Sequence, residues 1–547
     1  MTEERNGSGM GIQAKQVLWV DDEIDLLRAH IIFLGEKGYK VTPASNGEDA
    51  LALISQQAFD IVLLDEMMAG RDGLSTLAEI KSVRPSIPVI MITKSEEEQL
   101  MDAAIGRRID DYLTKPVNPS QILSACKRLL ESKRILGNRA PQEYAATAAR
   151  IQLAFSGRPD WRDWIDIHLR LSEWDLELEQ LEDPALRQMH GDQRRTCNSQ
   201  FGKYIEETYP KWLLDQDAPV LSVNAFAEHV YPLLGSKRAA FFVVIDSLRL
   251  DHWLGIEPLL EDLFDIKRDF YFSILPTATP YARNALFSGL FPSQIAEQYP
   301  EYWESPTDEG TQEEQGLNRY EHQLLDEQLK RLGVEIGQGS RYEKVLDIAR
   351  GKDLVRRIAS FESSPLTAIV FNFVDILAHG RSESEILKEI APDDAAFRSL
   401  TVSWFAHSNL FEVLKNISVM DAVVVLTSDH GSILGTRGTP IRGDRTTTSN
   451  LRYKFGRNIR CDPRQALFVA NPEELMLPCP ADGCNVVVAK EDYYFVYAPR
   501  FAEYERQYKN SFHHGGISLQ EMILPVVTMT PKSQSPQGRA NSQLGVE

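Results

Sequence analysis

The 547-residue chain is 43% hydrophobic and 25% charged, ordinary for globular domains and enough for roughly two to four of them. Its formal net charge of −20 works against binding to a phosphate backbone, and so against a DNA-binding transcription factor. No apolar run approaches the roughly 18 residues of a membrane span, and five cysteines in so long a chain fit a reducing compartment better than a disulfide scaffold.

Residues 1–15 are polar and read as a disordered tail rather than a signal peptide, so the expected location is cytoplasmic, without membrane insertion. From 16 to 135 short apolar runs alternate with amphipathic stretches. The runs are Gln16–Val20, Lys40–Thr42, Ile61–Leu64, Pro88–Ile92 and Tyr112–Thr114; the stretches include Ile24–Gly35 and Asn46–Gln57. This alternation predicts a doubly wound parallel sheet, in which chemistry gathers at the carboxyl ends of the strands. Those ends carry Asp21 and Asp22, then Asp65, then Thr93, then Lys115 before Pro116, a position where a cis bond is tolerated. Carboxylates on two strand tips make an oxygen pocket suited to Mg²⁺, and the hydroxyl and ammonium groups on two further tips can hold phosphoryl oxygens.

The segment resembles the flavodoxin-like receiver domain of response regulators. That resemblance implies Asp65 as phosphoacceptor and Mg²⁺ held by Asp22, Asp65 and the Met67 carbonyl, with Asp21 acting mainly through water. It further implies Thr93 and Tyr112 as a switch pair and Lys115 as the phosphate partner. Phosphorylation by a histidine kinase follows, with a homodimer formed through the helix 4, strand 5, helix 5 face.

Residues 136–235 read as a helical bundle linker. Tryptophans 161, 164, 174 and 212, with Leu and Ile at three- and four-residue intervals, mark buried helix faces. Gly157-Arg158-Pro159 and Asp183-Pro184 read as helix boundaries. The stretch carries no chemical motif, and its expected role is a spacer and coupling element.

Residues 236–530 return to strands: AAFFVVID, TAIVFNFVD and AVVVLTSD, each a buried-type apolar run ending in a carboxylate. In chain order the segment offers Asp246, Thr277 and Thr279, Asp375 and His379, Asp429 and His430, and His513 and His514. Mixed oxygen and nitrogen donors suit Zn²⁺ or Mn²⁺, and six of them suit two ions about 4 Å apart. Asp375 and His379 share one face if their segment is helical. Pro280 is placed to start a helix, where a threonine hydroxyl meets free N–H groups that favour phosphate. Residues 294–316 form an acidic insertion, read as a surface loop or lid, and residues 531–547 a polar tail. Cys479 and Cys484, in LPCPADGC, read as a plain loop.

The ligand order, together with LPTATPYARNALFSG, LRYKFGRN and HHGGISLQEMILPV, resembles the PglZ branch of the alkaline phosphatase superfamily. That resemblance implies one zinc ion on Asp246, Asp429, His430 and the nucleophilic threonine, and a second on Asp375, His379 and His514. Thr279 is preferred as nucleophile because it precedes Pro280 and has Arg283 four residues on; Thr277 stays open as the alternative, as His513 does to His514. Between Arg437 and Arg460 lie seven cations against one acid, Asp444. Arg442, Arg445, Arg452 and Lys454 are read from this cluster as an anion-steering wall, with Tyr453 and Phe455 able to stack bases, which tilts the expectation to a diesterase on small nucleotides.

Receiver, helical linker and PglZ-like domain together resemble the PorX-type response regulators linked to type IX secretion. This implies zinc-dependent cleavage of cyclic or linear oligonucleotides under control of Asp65, and contacts with a sigma factor or secretion-motor protein. The alternative is an interaction-type regulator whose metal site is mainly structural.

Overall fold

The computed structural model describes residues 14–68, 71–84, 87–93, 110–181, 183–214, 216–235, 238–304, 318–334, 340–383, 385–444, 447–448, 450–479 and 483–532. They fall into two compact units, the first ending at Glu143 and the second starting at Tyr144.

The first unit is built on β1 (Lys15–Val20), β2 (Tyr39–Ala44), β3 (Ile61–Asp65), β4 (Val89–Thr93) and β5 (Asp111–Thr114). All pair in parallel, in the order β2-β1-β3-β4-β5. The central runs Val17–Val20 and Ile61–Leu64 are fully buried, as a sheet covered on both faces requires. The helix Gly47–Gln56 starts where Asn46 accepts a 2.9 Å hydrogen bond from the Asp49 N–H, a side-chain cap on a free helical donor. The stretch expected as one helix from Ile24 splits into a 3-10 turn, Ile24–Leu27, and an α-helix, Arg28–Glu36. Leu27 at the joint has φ −93° and ψ 13°, off the helical values. Helix 4 of the expected dimer face lies outside the described residues.

In the second unit the helices Trp161–Gln180 and Pro184–Trp212 begin as expected, at the Asp160 capping box and at Asp183 with Pro184 in the first turn. Trp164, Phe201, Tyr209 and Trp212 share one core with Phe272, Leu275 and Leu519 of the domain that follows. The segment expected as a spacer is therefore a packed wall of the second domain.

That domain centres on β6 (Ala239–Ile245), β7 (Phe264–Phe272), β8 (Arg341–Val345), β9 (Leu366–Phe371), β10 (Ala422–Thr427) and the strand Ile523–Pro531. Their order is β7, Ile523–Pro531, β10, β6, β9, β8. β10, β6, β9 and β8 are parallel, and Ile523–Pro531 runs antiparallel to both its neighbours. The apolar runs of β6, β9 and β10 are buried, so their carboxyl ends open on one edge of the sheet. In TAIVFNFVD the strand stops at Phe371 and a helix, Phe373–Glu383, follows; Asp375 sits in its first turn rather than on a strand end. Residues 305–317 of the expected acidic lid lie outside the described residues.

Two histidines in this core predict acid sensitivity. His168 and His252 are buried, and neither ring nitrogen of either finds a hydrogen-bond partner among the described residues. Arg194, Asp175, Arg249, Asp251 and Arg398 surround them, and burial pushes both down to about 3. An unfolded histidine takes up a proton near pH 6.5, so their contribution is complete above that value and is lost as pH falls towards 3. The slope is at most about 1.4 kcal/mol per histidine per pH unit. Urea midpoints should fall between pH 7 and 5, and His168→Gln should flatten that fall; an unchanged slope would refute the assignment.

Candidate functional site

In the first unit Asp21, Asp22 and Asp65 each turn a carboxylate oxygen into one group, all within 4.8 Å of one another. Lys115, preceding the cis bond to Pro116, reaches Asp21 Oδ2 and Asp65 Oδ2, each at 2.9 Å. Burial pushes the Asp65 carboxyl up, assisted by the Asp21 charge, and Lys115 and the Met67 backbone only partly offset it. Such a group gains from a divalent cation. Thr93 donates its hydroxyl hydrogen bond to Glu66, next to Asp65. Tyr112 is partly exposed. The receiver residues expected from the strand ends thus stand together.

In the second unit two trios converge. Asp246 follows β6 directly, and Asp429 and His430 follow β10; together they form one donor group. Asp375 and His379, one turn apart on their helix, join His514, just past the strand Ser511–His513, in the other. Donor atoms within each trio lie within 4.8 Å of one another. The His430 and His514 rings stack at 4.4 Å and 18°, so the trios adjoin. Ser247, after Asp246, takes φ 64°, a strained value for a residue with a Cβ; its N–H lies 3.5 Å from Asp429 Oδ1.

The charges in this pocket call for cations. Burial pushes the Asp246 carboxyl well up, and Asp429 and Asp375 push the same way against Arg283. Burial likewise raises Asp429 to about 6 and pushes His430 down, leaving a neutral ring fit to coordinate. His379 and then His514 overcome burial at Asp375 and hold it below the usual carboxylate range. Asp429 Oδ2 is buried with no hydrogen-bond partner among the described residues. An orphaned carboxylate oxygen beside neutral imidazole is a natural ligand pair for Zn²⁺, so the residues fit the expected ions.

Of the two threonines, Thr279 faces the first trio. Its Oγ lies 2.9 Å from His430 Nε2 and 3.5 Å from Asp246 Oδ1, and it opens the helix Thr279–Ser288 with Pro280 next. Thr277 is committed to the backbone, donating to Gly516 O at 2.8 Å and accepting from Gly515 N at 3.1 Å. Among the histidines, His514 Nε2 lies 3.0 Å from His379 Nε2, whereas His513 Nε2 turns to Tyr508 O at 3.2 Å.

Other expected site residues serve differently. Arg283 is buried beneath the pocket, 2.9 Å from both Asp246 Oδ2 and Glu321 Oε1 and 3.7 Å from Asp429 Oδ2. It pairs with two of the candidate metal-ligating carboxylates from below. Arg452 is not part of an anion wall: fully buried, it pairs with Glu521 through Nη2 at 2.5 Å and Nε at 3.1 Å. Lys454 is also buried, donating to Thr448 O at 2.7 Å. Tyr453 and Phe455 pack on Tyr281 and offer no face to a base. Arg442 is exposed, as are Arg457 and Arg460; Arg445 lies outside the described residues.

Sequence reading missed Glu321 and Asn318. Glu321, fully buried, bridges Arg283, Tyr342 and Lys344. Asn318 donates to Thr279 O at 3.2 Å and to Asn284 Oδ1 at 3.0 Å, steadying the turn that bears Thr279. Neither stands in a motif; an acid opening a helix is ordinary.

Known proteins share the three parts. Residues 17–127 match the response regulator receiver domain, 134–213 the PorX response regulator linker domain, and 225–529 the BREX system PglZ alkaline phosphatase-like domain. The chain is similar to the transcriptional regulatory protein ZraR of Salmonella typhimurium (strain LT2), 34% identical over 130 residues, covering 24% of this chain and 30% of ZraR. It is similar to ResD of Bacillus subtilis (strain 168), 33% identical over 115 residues, covering 21% of this chain and 48% of ResD. The chain therefore spans half or less of these relatives. A CheY-like receiver domain protein from Methanospirillum hungatei JF-1 aligns over 22% of this chain and 98% of its own at 28% identity, with a TM-score of 0.22.

Receiver domains are phosphorylated by histidine kinases and bind Mg²⁺, and alkaline-phosphatase-like domains are usually metal-dependent hydrolases. Among the described residues no helix is long and apolar enough to cross a membrane. The PglZ match covers more than half of the length, behind a receiver domain and a PorX linker, and the chain belongs to the BREX system PglZ alkaline phosphatase-like family, in the arrangement of a PorX-type two-component response regulator.

Proposed function

We propose that the second unit is a zinc-dependent phosphodiesterase acting on cyclic or linear oligonucleotides, controlled by phosphorylation of Asp65 and by dimerisation. The observation that carries this reading is a threonine hydroxyl set against one mixed-donor trio, which a second trio adjoins through the stacked His430 and His514 rings. Asp246, Asp429, His430 and Thr279 would hold one zinc ion and Asp375, His379 and His514 the other. Zinc, when bound, supplies a lowered hydroxyl pKa and neutralises phosphoryl charge. Thr279 Oγ forms the new O–P bond and one ester oxygen leaves, taking up the hydroxyl proton through solvent; water then releases the phosphoryl group from Thr279. Thr279 opens a helix whose positive dipole end favours phosphoryl charge, although Pro280 has no N–H and the Tyr281 and Ala282 N–H groups bond the Ala278 carbonyl. The diester preference rests on the resemblance and on the exposed Arg442, Arg457 and Arg460.

In the first unit Asp65 accepts the phosphoryl group from a histidine kinase, with Mg²⁺ on Asp21, Asp22, Asp65 and Met67. Regulation of type IX secretion from the cytoplasm, through a sigma factor or secretion-motor protein, completes the reading. Zinc-loaded protein should hydrolyse bis-p-nitrophenyl phosphate and cyclic dinucleotides, and Asp429→Ala should abolish turnover; equal residual rates in both reject the enzyme. Beryllofluoride should double the mass in solution for the parent chain and not for Asp65→Asn. Doubling in both would detach assembly from Asp65.

A second reading is an interaction-type regulator with a structural metal site. It is favoured by the burial of Arg452, Lys454, Tyr453 and Phe455, which removes much of the wall expected to grip a nucleotide. An Asp429→Asn chain that cannot hydrolyse but still signals in cells would support it.

A further inference from the structure

The helix Pro184–Trp212 belongs to the linker, yet it reaches two loops of the hydrolase pocket. Asn198 and Tyr209 lie about three helical turns apart and so share one face. Both are buried. The Tyr209 hydroxyl accepts the Leu275 N–H at 2.9 Å, on the approach to Thr277 and Thr279. The Asn198 amide is used at both ends: Nδ2 donates to Gln520 Oε1 at 3.0 Å, and Oδ1 accepts the Leu519 N–H at 2.9 Å.

The second contact leads back into the pocket through short bonds. Gln520 and Glu521 lie in the helix Leu519–Met522. The Glu521 carboxylate accepts from Gly516 N at 2.8 Å and from Ser518 Oγ at 2.6 Å, fixing the turn that follows His514. The Glu521 carbonyl accepts from Gly431 N at 3.2 Å, next to His430. Thr277 closes the circuit by bonding Gly515 and Gly516. The two backbones approach so closely here that a Cβ at Gly431 would overlap the Gln520 carbonyl.

We infer that this linker helix positions the catalytic groups: Tyr209 sets the loop that bears Thr279, and Asn198 sets the loop that bears His514. The inference rests on the hydrolase reading above and assigns control of that same site to the linker. A movement of one helix then shifts nucleophile and metal ligand together. Neither residue touches the reacting atoms; both are positioning residues.

The test uses the full chain with zinc, with two variants that act on different readouts. Tyr209→Phe keeps the ring and removes the acceptor. It should lower kcat on bis-p-nitrophenyl phosphate about 10- to 100-fold, the effect of misplacing a reacting group by about 1 Å, with KM within about twofold and zinc affinity falling far less than kcat, since three other ligands hold that ion. Asn198→Ala should weaken one of the two zinc sites about 10- to 100-fold in chelator competition, as loss of an outer partner of a ligand does. Asn198→Asp, which keeps the Leu519 acceptor, should recover part of that loss. Wild-type kcat in Tyr209→Phe overturns the Tyr209 role, and wild-type zinc affinity in Asn198→Ala overturns the Asn198 role. Parallel losses of kcat and zinc affinity in both variants, tracking a lower unfolding midpoint, overturn both. If the parent chain hydrolyses no ester, the hydrolase reading fails alone: zinc competition still decides Asn198, and faster amide exchange at Leu275 in Tyr209→Phe still decides Tyr209.

Discussion

Replacing Thr279 with alanine is expected to lower kcat/KM on a phosphodiester by about 10³- to 10⁶-fold while leaving folding and zinc content close to those of the parent chain. The size follows from the position of one oxygen. Thr279 Oγ touches His430 and approaches Asp246 at the start of a helix, so in the proposed site it would meet a zinc ion at the positive end of the helix dipole. Thr279→Ser keeps that oxygen and should stay within about tenfold of the parent. Thr277→Val is the informative contrast. It breaks the bonds to Gly515 and Gly516 and should lower the unfolding midpoint more than the chemistry. A Thr279→Ala chain that works while Thr277→Val does not would exchange the two roles.

Arg283→Met carries the second large effect, and its size depends on metal. In the metal-free chain the change leaves Asp246 buried without its cation and Glu321 with Lys344 alone, a loss of about 3–5 kcal/mol. Zinc on Asp246 and Asp429, in the proposed site, would take over part of that neutralisation and leave mainly the weakened Glu321 pairing, held by Lys344. The destabilisation measured by urea unfolding should therefore shrink when zinc is added, beyond the stabilisation the parent gains from the same zinc. Equal losses with and without zinc would show that Arg283 serves Glu321 and not the ligands.

Much of both sites was legible because their residues sit where local rules place them. Asp21, Asp65 and Asp246 stand at the ends of apolar runs, and such strands put their tips at a site. Asp375 and His379 needed only the helical spacing, although the helix starts earlier than the apolar run suggested. The choices between Thr277 and Thr279, and between His513 and His514, depend on which way a loop turns. Hydrogen bonds to Gly516 and Tyr508 decide that, and no local pattern encodes them. The basic segment misled for the same reason. A cluster of cations reads as a solvent-facing wall unless its counter-charge is near in sequence, and the partner of Arg452 is Glu521, far along the chain. Arg283 and Glu321 form a similar pair, separated by the acidic insertion. The linker's share in the core was hidden because its buried face shows only that it packs, not on what.

The bond from Thr93 to Glu66 has a consequence for background noise in signalling. In the proposed switch, Thr93 must leave that carboxylate to reach a phosphoryl oxygen. An unphosphorylated receiver that drifts towards the active arrangement would break this bond, at a net cost of about 1 kcal/mol, which lowers the share of such excursions several-fold. Phosphorylated Asp65 supplies the replacement acceptor. In the proposed switch, Glu66 would then act as a filter, helping to set how quiet the protein stays between signals without entering the chemistry of the signal itself.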